Sequence, residues 1–152
     1  MYEFLEETVG DNMTKAVRSV TLEATVADLY RLFAADDFEA YPVVEDGKVV
    51  GMVSRLDVLK PFALPQDQVI PHYIDGMGTT IDKVMSNGLV TVGPETRLQR
   101  VLELMIEYRV RSVPVVDEQR KLLGIIARRD VMRAMERSVL PQYPPVLPFA
   151  EA

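Results

Sequence analysis

Apolar residues along the chain follow two alternating periods, one helical and one extended. Val26, Leu29, Tyr30 and Phe33 are spaced as the buried face of an amphipathic helix, and the same spacing recurs at 98, 101, 102 and 105. After each helical stretch come two short runs rich in β-branched residues, around 42–53 and 113–126, interrupted by a polar turn. Each pair of runs predicts a β-hairpin.

Further elements complete each unit. The pairs Thr25 with Asp28 and Thr96 with Gln99 predict the N-caps of the amphipathic helices. A short strand is predicted before each of these helices, at 18–20 and 90–92, and a second helix after each hairpin, at about 54–60 and 127–137. The predicted fold is α/β (α+β) with the order β-α-β-β-α, repeated twice. Because one copy alone would leave an apolar sheet face exposed, we expect the copies to pack through their sheets as a pseudo-twofold pair.

The two units form an internal repeat. The segment YPVVE at 41–45 recurs as VPVVD at 113–117, an offset of 72, and GMVSRLD at 51–57 recurs as GIIARRD at 124–130, an offset of 73. One additional residue in the second hairpin turn accounts for the difference. We divide the chain into a first repeat with an N-terminal extension (1–61), a connector (62–80), a second repeat (81–138) and a proline-rich tail (139–152) with extended geometry.

Composition narrows the class of protein. The 152 residues are 48% hydrophobic and contain no cysteine, which is typical of a globular chain and excludes disulfides and thiolate sites. The net charge of -6 is uneven: residues 1–76 hold 6 basic and 14 acidic side chains, and residues 77–152 hold 11 and 9. The acidic balance and the absence of a long apolar run predict a cytoplasmic protein that binds neither nucleic acid nor membrane.

The order of these motifs resembles the cystathionine beta-synthase (CBS) domain. Both copies carry an h-P-V-V-D/E strand followed by G-h-h-x-x-x-D, where h is apolar, and the resemblance covers 12–60 and 81–137. Two tandem copies resemble a CBS pair, or Bateman module. This implies a non-catalytic sensor with no required cofactor, whose clefts bind adenosine-containing ligands such as AMP, ADP, ATP, S-adenosylmethionine or NAD(H). It also implies a homodimer formed through helices, which the unequal charges of the halves favour as antiparallel, and an effector protein of unknown identity.

The resemblance assigns ribose binding to the end of the second motif. In the first copy this gives Ser54 and Asp57, and in the second copy Asp130, with Ala127 where the hydroxyl is expected. The same spacing is also an ordinary helix cap, with serine at the N-cap and aspartate at N3. Both interpretations stay open.

Arginines beside these motifs are candidates for phosphate binding. A guanidinium group can hold phosphate oxygens bidentately, whereas the alternative is a solvated helix face. The candidates are Arg55, Arg109, Arg111, Arg128 and Arg129.

An adenine slot is implied between the first strand and the residue before Pro-Val-Val. The alternative assigns the valines to the core and lets the tyrosine ring fill its cleft, which would make the protein a structural or oligomerisation module without a ligand. The implied residues are Thr91, Val92 and Val113 for one site, and Ser19, Val20 and Tyr41 for the other.

Enzymatic and metal sites find no support in the motifs. His72 is the single histidine, so it has no second histidine with which to form a metal pair, and we expect it in a surface loop. Glycine-rich phosphate loops and nucleophile elbows are missing from the sequence. We therefore expect neither catalysis nor a bound metal.

Overall fold

A computed structural model of the chain describes residues 2–63, 73–86 and 88–146, with the backbone alone for 2, 73 and 74. The predicted histidine loop at His72 lies outside these residues. The helices are α1 (Tyr2–Glu6), α2 (Val9–Asn12), α3 (Val26–Ala35), α4 (Tyr73–Met77), α5 (Leu98–Tyr108) and α6 (Arg128–Ser138). The strands are β1 (Ala40–Glu45), β2 (Lys48–Ser54), β3 (Ser112–Val116) and β4 (Leu122–Ala127), and 3₁₀ helices occupy Asp57–Phe62, Ile81–Lys83 and Leu140–Gln142.

The helices α3 and α5 confirm the two amphipathic patterns. At the start of α3, Asp28 N donates to Thr25 Oγ1 at 3.2 Å and Thr25 N donates to Asp28 Oδ2 at 2.9 Å, as the capping pair predicts. The hydrogen bonds from Thr25 hold the pKa of Asp28 below its ordinary value. The predicted Thr96 cap of α5 is wrong: Thr96 Oγ1 instead accepts from Gly93 N at 3.2 Å, and α5 begins one residue later, after Arg97.

Both hairpins form as the sequence predicts. β1 pairs antiparallel with β2, and β3 with β4, and each pairing has an irregularity at the equivalent place, after Val43 and after Val115. The first turn is closed by Asp46 and Gly47 at φ 51° and 77°, the left-handed geometry that a two-residue hairpin turn requires. The two hairpins therefore share their pairing pattern, with a turn one residue longer in the second repeat.

The first strand of each predicted sheet is much shorter than expected. It is reduced to one parallel bridge per repeat, Val20 with Val43 and Val92 with Val115. Each bridge is held by two backbone hydrogen bonds, for example Val44 N to Val20 O at 2.8 Å and Val116 N to Val92 O at 2.9 Å. The order β-α-β-β-α and the mixed α/β class hold, but each regular sheet has two strands and one bridging residue.

The second helices of the two repeats differ. In the second repeat α6 runs over 11 residues, whereas the first repeat has the 3₁₀ helix Asp57–Phe62 over 6 residues. Pro61 lies inside this segment, and in an α-helix its ring would clash with the carbonyl group four residues earlier. The tail prediction is also wrong at its start, because Leu140–Gln142 is a 3₁₀ helix.

The N-terminal segment of each repeat packs on the other repeat. Val9 N donates to Thr96 O at 2.8 Å, and Ile81 N donates to Ala24 O at 2.9 Å. Both the donors and the acceptors of these two bonds are separated by 72 positions, the offset of the sequence repeat. The two repeats thus exchange their N-terminal segments, as expected for a pair related by a pseudo-twofold axis.

Two apolar cores result, one in each repeat. Phe4 and Val9 belong to the core of the second repeat, and Ile81 and Val84 to the core of the first. Each core therefore depends on residues from both repeats. Across the described parts of the chain, every helix falls short of the length and apolar character needed to cross a membrane.

Candidate functional site

Asp57 and Asp130 occupy equivalent, buried positions at the ends of the two hairpins. Their side chains are 4% and 6% exposed. Asp57 Oδ2 accepts from Ser54 N at 2.9 Å, and Asp130 Oδ2 accepts from Ala127 N at 2.8 Å. Asp57 N also donates to Ser54 Oγ at 3.1 Å, which completes a capping box that Ala127 cannot form for lack of a side-chain oxygen. One oxygen of each aspartate therefore stabilises local structure.

The other carboxylate oxygen, Oδ1, has different partners in Asp57 and Asp130. Asp57 Oδ1 lies 2.7 Å from Lys60 Nζ, in an ion pair within the first repeat, and it accepts from Ser86 Oγ at 3.5 Å. Lys60 Nζ also donates to Val84 O at 3.0 Å, so the ammonium group is held between two acceptors. The carboxylate that a ribose diol would need is therefore already occupied by a lysine of the same repeat.

Asp130 has a different environment. Its Oδ1 accepts a long hydrogen bond of 3.4 Å from Thr14 Oγ1, and no ion pair to Asp130 forms among the described residues. The position equivalent to Lys60 is Arg133, whose side chain lines a cavity beside the aspartate. Asp130 therefore keeps acceptor capacity for hydroxyl donors.

This cavity, which we call the Asp130 cleft, has a volume of about 650 Å³. That is within the range of small-molecule sites, roughly 300–1,000 Å³. Three parts of the chain build it: the segment before the first repeat, the loop between α3 and β1, and the β3, β4 and α6 elements of the second repeat. The lining residues are Thr14, Asp37, Phe38, Glu39, Ser112, Ile125, Ala127, Arg128, Arg129, Asp130, Met132, Arg133 and Glu136.

Three of the predicted phosphate-binding arginines are brought to this cleft, where they pair with carboxylates of the first repeat. Arg129 Nη2 lies 3.0 Å from Asp37 Oδ2. Glu39 lies between the other two, 3.6 Å from Arg111 and 3.5 Å from Arg128. More than half of each arginine side chain is exposed. Arg128, Arg129 and Asp130 thus line the cleft together. Arg111 is not among the described residues that line the cleft, and it is connected to the cleft by its ion pair with Glu39.

The remaining two arginines lie elsewhere. Arg55 Nε donates to Phe38 O at 2.9 Å, and its guanidinium group stacks 5.0 Å from the centre of the Phe33 ring. Arg55 therefore stabilises the end of α3 and the loop that follows it. Arg109 ends α5 in a left-handed conformation, with φ 54°.

The predicted adenine residues are not gathered at the Asp130 cleft. Val20, Val92 and Val113 belong to the two cores, and Ser19 is exposed. Thr91 and Val92 line a separate, shallower cavity of about 480 Å³ near Arg100 and Tyr108.

Tyr41 is fully buried within the first repeat. Its hydroxyl donates to Leu32 O and lies 3.0 Å from Asp36 Oδ2, while its ring packs against Phe33 at a centroid distance of 5.0 Å. Burial, followed by the nearby Asp36 carboxylate, raises the pKa of Tyr41 to about 12. The ring is part of the apolar core of the first repeat.

Sequence reasoning missed Thr14, Asp37 and Glu39 as parts of the site. A signal existed for Thr14, because Thr14 and Ser86 stand 72 positions apart, directly after Met13 and Met85, in the alignment of the repeats. Each hydroxyl contacts the aspartate of the other repeat. Asp37 and Glu39 gave no such signal, because their role depends on a contact across the pair. Among the described residues, no group of three acidic or histidine side chains is arranged to hold a metal ion.

Comparison with protein families gives a match over both repeats. The family model described as CBS domain matches residues 7–63 and 81–137. The CBS domain-containing protein YhcV of Bacillus subtilis is 32% identical over 124 residues, covering 81% of each chain. Protein MJ1225 of Methanocaldococcus jannaschii is 26% identical over 132 residues, covering 84% of this chain and 46% of its own. The chain spans less than half the length of the first curated relatives that it matches.

Solved structures share the fold. The crystal structure of CBSX2 in complex with AMP is 29% identical, with a TM-score of 0.73, and the match covers 87% of this chain and 98% of that one. The CBS domain pair of protein MJ0100, in complex with 5-methylthioadenosine and S-adenosyl-L-methionine, matches with a TM-score of 0.73 at 23% identity, over 86% of this chain and 97% of that one. The second similarity supports the architecture of a sheet-packed pair.

Proposed function

Because the chain belongs to the CBS domain family and carries two copies of its domain, we propose that it is a non-catalytic regulatory module that binds an adenosine-containing ligand in the Asp130 cleft. The observation that carries this proposal is the contrast between the two aspartates. Asp57 is paired with Lys60, whereas Asp130 lines a cavity of about 650 Å³. The AMP complex of CBSX2, at 29% identity, supports the class of ligand.

The chemistry of the cleft fits a nucleoside. The buried Asp130 carboxylate can accept hydrogen bonds from a ribose hydroxyl through Oδ1, while Oδ2 stays bound to Ala127 N. Thr14 contributes a hydroxyl from the opposite side of the cleft. Phe38, Ile125 and Met132 supply apolar surface for a base. We propose one ligand per chain, because the Asp57 carboxylate of the first repeat is already paired with Lys60.

The test is ligand binding to the full chain, measured by titration calorimetry and thermal shift with adenosine, AMP, ATP, S-adenosylmethionine and NAD(H). A ligand present at 100 times its Kd should add about 2.7 kcal/mol to the free energy of unfolding. Asp130→Asn should weaken binding at least about tenfold, since hydrogen bonds to charged groups contribute roughly 1.5–3 kcal/mol.

Asp57→Asn is the matched control, because it makes the same change at the equivalent position of the other repeat. It should lower stability, since Lys60 loses its partner, while the ligand Kd stays the same. No thermal shift with any compound at millimolar concentration would contradict the proposal. Turnover of any of these ligands would contradict a non-catalytic role.

A second candidate function is a structural or oligomerisation module without a ligand. The observation that favours it is the first repeat, where Asp57 is paired with Lys60 and the Tyr41 ring is fully buried. Under this hypothesis both aspartate variants change stability alone.

We also propose a homodimer formed through helices. Its support is the exposure of apolar side chains after both hairpins: Leu56 and Leu59 are 70% and 50% exposed, and Met132 and Met135 are 60% and 37% exposed. Leu59 and Met132 stand at equivalent positions of the two repeats, 73 positions apart, and exposed apolar groups of this kind are typical of a self-complementary interface.

A further inference from the structure

The Asp130 cleft is crossed by ion pairs that join the two repeats. Asp37 and Glu39 come from the loop between α3 and β1 of the first repeat, and they face the arginines of the second repeat. Arg129 is the most tightly held: its Nη2 contacts Asp37 Oδ2 at 3.0 Å and donates to Asp37 O at 3.2 Å. A ligand phosphate would need the same guanidinium nitrogens.

The charged side chains that line the cleft disfavour the binding of an anionic ligand. The described lining residues include four carboxylates, from Asp37, Glu39, Asp130 and Glu136, against the three guanidinium groups of Arg128, Arg129 and Arg133. Glu39 is more enclosed than Asp37, with 32% of its side chain exposed against 90%, so screening by water is weaker there. A phosphate entering the cleft would have to displace these carboxylates or lie beside them.

We propose that Asp37 and Glu39 make the Asp130 cleft select adenosine compounds without a net negative charge over phosphorylated ones. The two carboxylates hold the arginines that would otherwise bind phosphate and add repulsion of their own. This inference rests on the proposed function, since it names the class of ligand that the cleft accepts. The residues that set the selectivity belong to the first repeat, although the cleft is built mainly by the second.

The experiment compares adenosine with AMP, titrated calorimetrically into the full chain at low ionic strength. The wild-type chain should bind adenosine more tightly than AMP. In the double variant Asp37→Asn, Glu39→Gln, the AMP affinity should rise by about 3- to 10-fold relative to the adenosine affinity, as expected for two partly exposed charges. Added salt should reduce the wild-type discrimination.

Glu103→Gln is the matched control. Glu103 pairs with Arg100 at 3.1 Å on the surface, with about half of each side chain exposed, so its removal changes the net charge and breaks an ion pair away from the cleft. The ratio of the two affinities should be the same as in the wild type. The single variant Asp37→Asn replaces a side chain that is 90% exposed, and it provides the comparison if the double variant does not fold.

The outcomes separate the two proposals. One outcome is that the wild-type chain binds adenosine while the ratio of adenosine to AMP affinity is the same in the Asp37 and Glu39 variants. In that case the proposed selectivity is wrong, and the proposed adenosine site stands. A wild-type preference for AMP would also overturn the selectivity. If neither adenosine nor AMP binds the wild type or the variants, both the selectivity and its basis in adenosine binding are wrong.

Discussion

Tyr41 shows how a single polar atom is accommodated in the core of the first repeat. The ring is fully buried, but its hydroxyl reaches Leu32 O and Asp36 at 3.0 Å each, at the end of α3. The side chain thus contributes apolar burial and also ties β1 to the preceding helix.

Tyr41→Phe tests this role through its pH dependence. The pKa of Tyr41 is raised from 10.0 to about 12, so the folded state holds the proton more tightly than the unfolded chain. Its contribution to stability is complete below pH 10 and is lost as the pH rises towards 12. We expect the phenylalanine variant to be about 1 kcal/mol less stable near pH 7, and this difference to shrink above pH 10 in urea unfolding.

Tyr108→Phe is the control for that measurement, because it removes a hydroxyl from a side chain that is 54% exposed. If a stability difference between Tyr108→Phe and the wild type also shrank between pH 10 and 12, the assignment of the pH dependence to Tyr41 would be contradicted.

At the level of single residues, Lys60 and Arg133 explain why the two repeats diverge. Both stand three positions after the motif aspartate. Lys60 reaches back to Asp57 at 2.7 Å, whereas no ion pair between Arg133 and Asp130 forms in the described structure. The residue three positions after the motif aspartate therefore differs in role: Lys60 pairs with Asp57, whereas Arg133 lines the same cavity as Asp130.

At the level of elements, the contact between each hairpin and the segment before the other repeat depends on a glycine. Thr14 N donates to Ile125 O at 2.8 Å, and Ile125 N donates to Thr14 O at 2.9 Å. A Cβ atom on Gly124 would lie 2.6 Å from Thr14 O, which is too close for any side chain. The glycine is needed because the backbones approach closely.

Gly124→Ala should therefore destabilise the chain by about 1–3 kcal/mol and weaken ligand binding, because Thr14 would be displaced from the cleft. Gly51→Ala is the matched variant in the other repeat, where the added Cβ would lie 2.9 Å from Met85 Sδ. That contact involves a flexible side chain, so the cost should be smaller. Equal losses in urea unfolding would contradict the backbone explanation.

At the level of the whole molecule, neither repeat is complete on its own. Phe4 and Val9 fill the second core, and Ile81 and Val84 fill the first, so the two repeats share their apolar burial. A ligand between them would contact Thr14 and the α3–β1 loop together with α6. Binding would therefore act on the relative position of the repeats, which is what a regulatory module requires.

The proposed homodimer is tested by charge substitution in its apolar helix surfaces. Leu59→Glu combined with Met135→Glu should convert a dimer into a monomer in light scattering at micromolar concentration, because desolvated carboxylates would face each other. Leu123→Glu is the control, since Leu123 is 37% exposed and lies on a strand. A monomeric wild type, or a dimer that tolerates the double substitution, would contradict the interface.

Much of the fold follows from local sequence. The helices α3 and α5, the Thr25 cap and both hairpins were predicted from periodicity and turn residues, because these features depend on neighbours within a few positions. The short first strands and the 3₁₀ helix at Asp57–Phe62 were predicted less well. Marginal elements such as these are decided by packing and by single residues such as Pro61.

The candidate site was predictable only in part. The motif aspartates stand out from the sequence because they repeat at an offset of 73, and Arg128 and Arg129 stand out because they directly precede Asp130. The valines of the expected adenine slot are core residues, because an apolar position in a strand serves a core and a pocket equally well in sequence terms. The choice between Asp57 and Asp130 also depended on geometry.

The sequence by itself determined that this protein is a pair of similar β-α-β-β-α units with an aspartate shortly after each hairpin, because repetition and hydrophobic period are properties of the chain alone. The tertiary structure decided which segment completes which repeat, and that Asp57 pairs with Lys60 whereas Asp130 lines a cavity. The reason is distance along the chain: Thr14 meets Asp130 across 116 positions, and Asp37 meets Arg129 across 92. Contacts of this kind leave no local pattern, and they exist only when the two repeats have packed together.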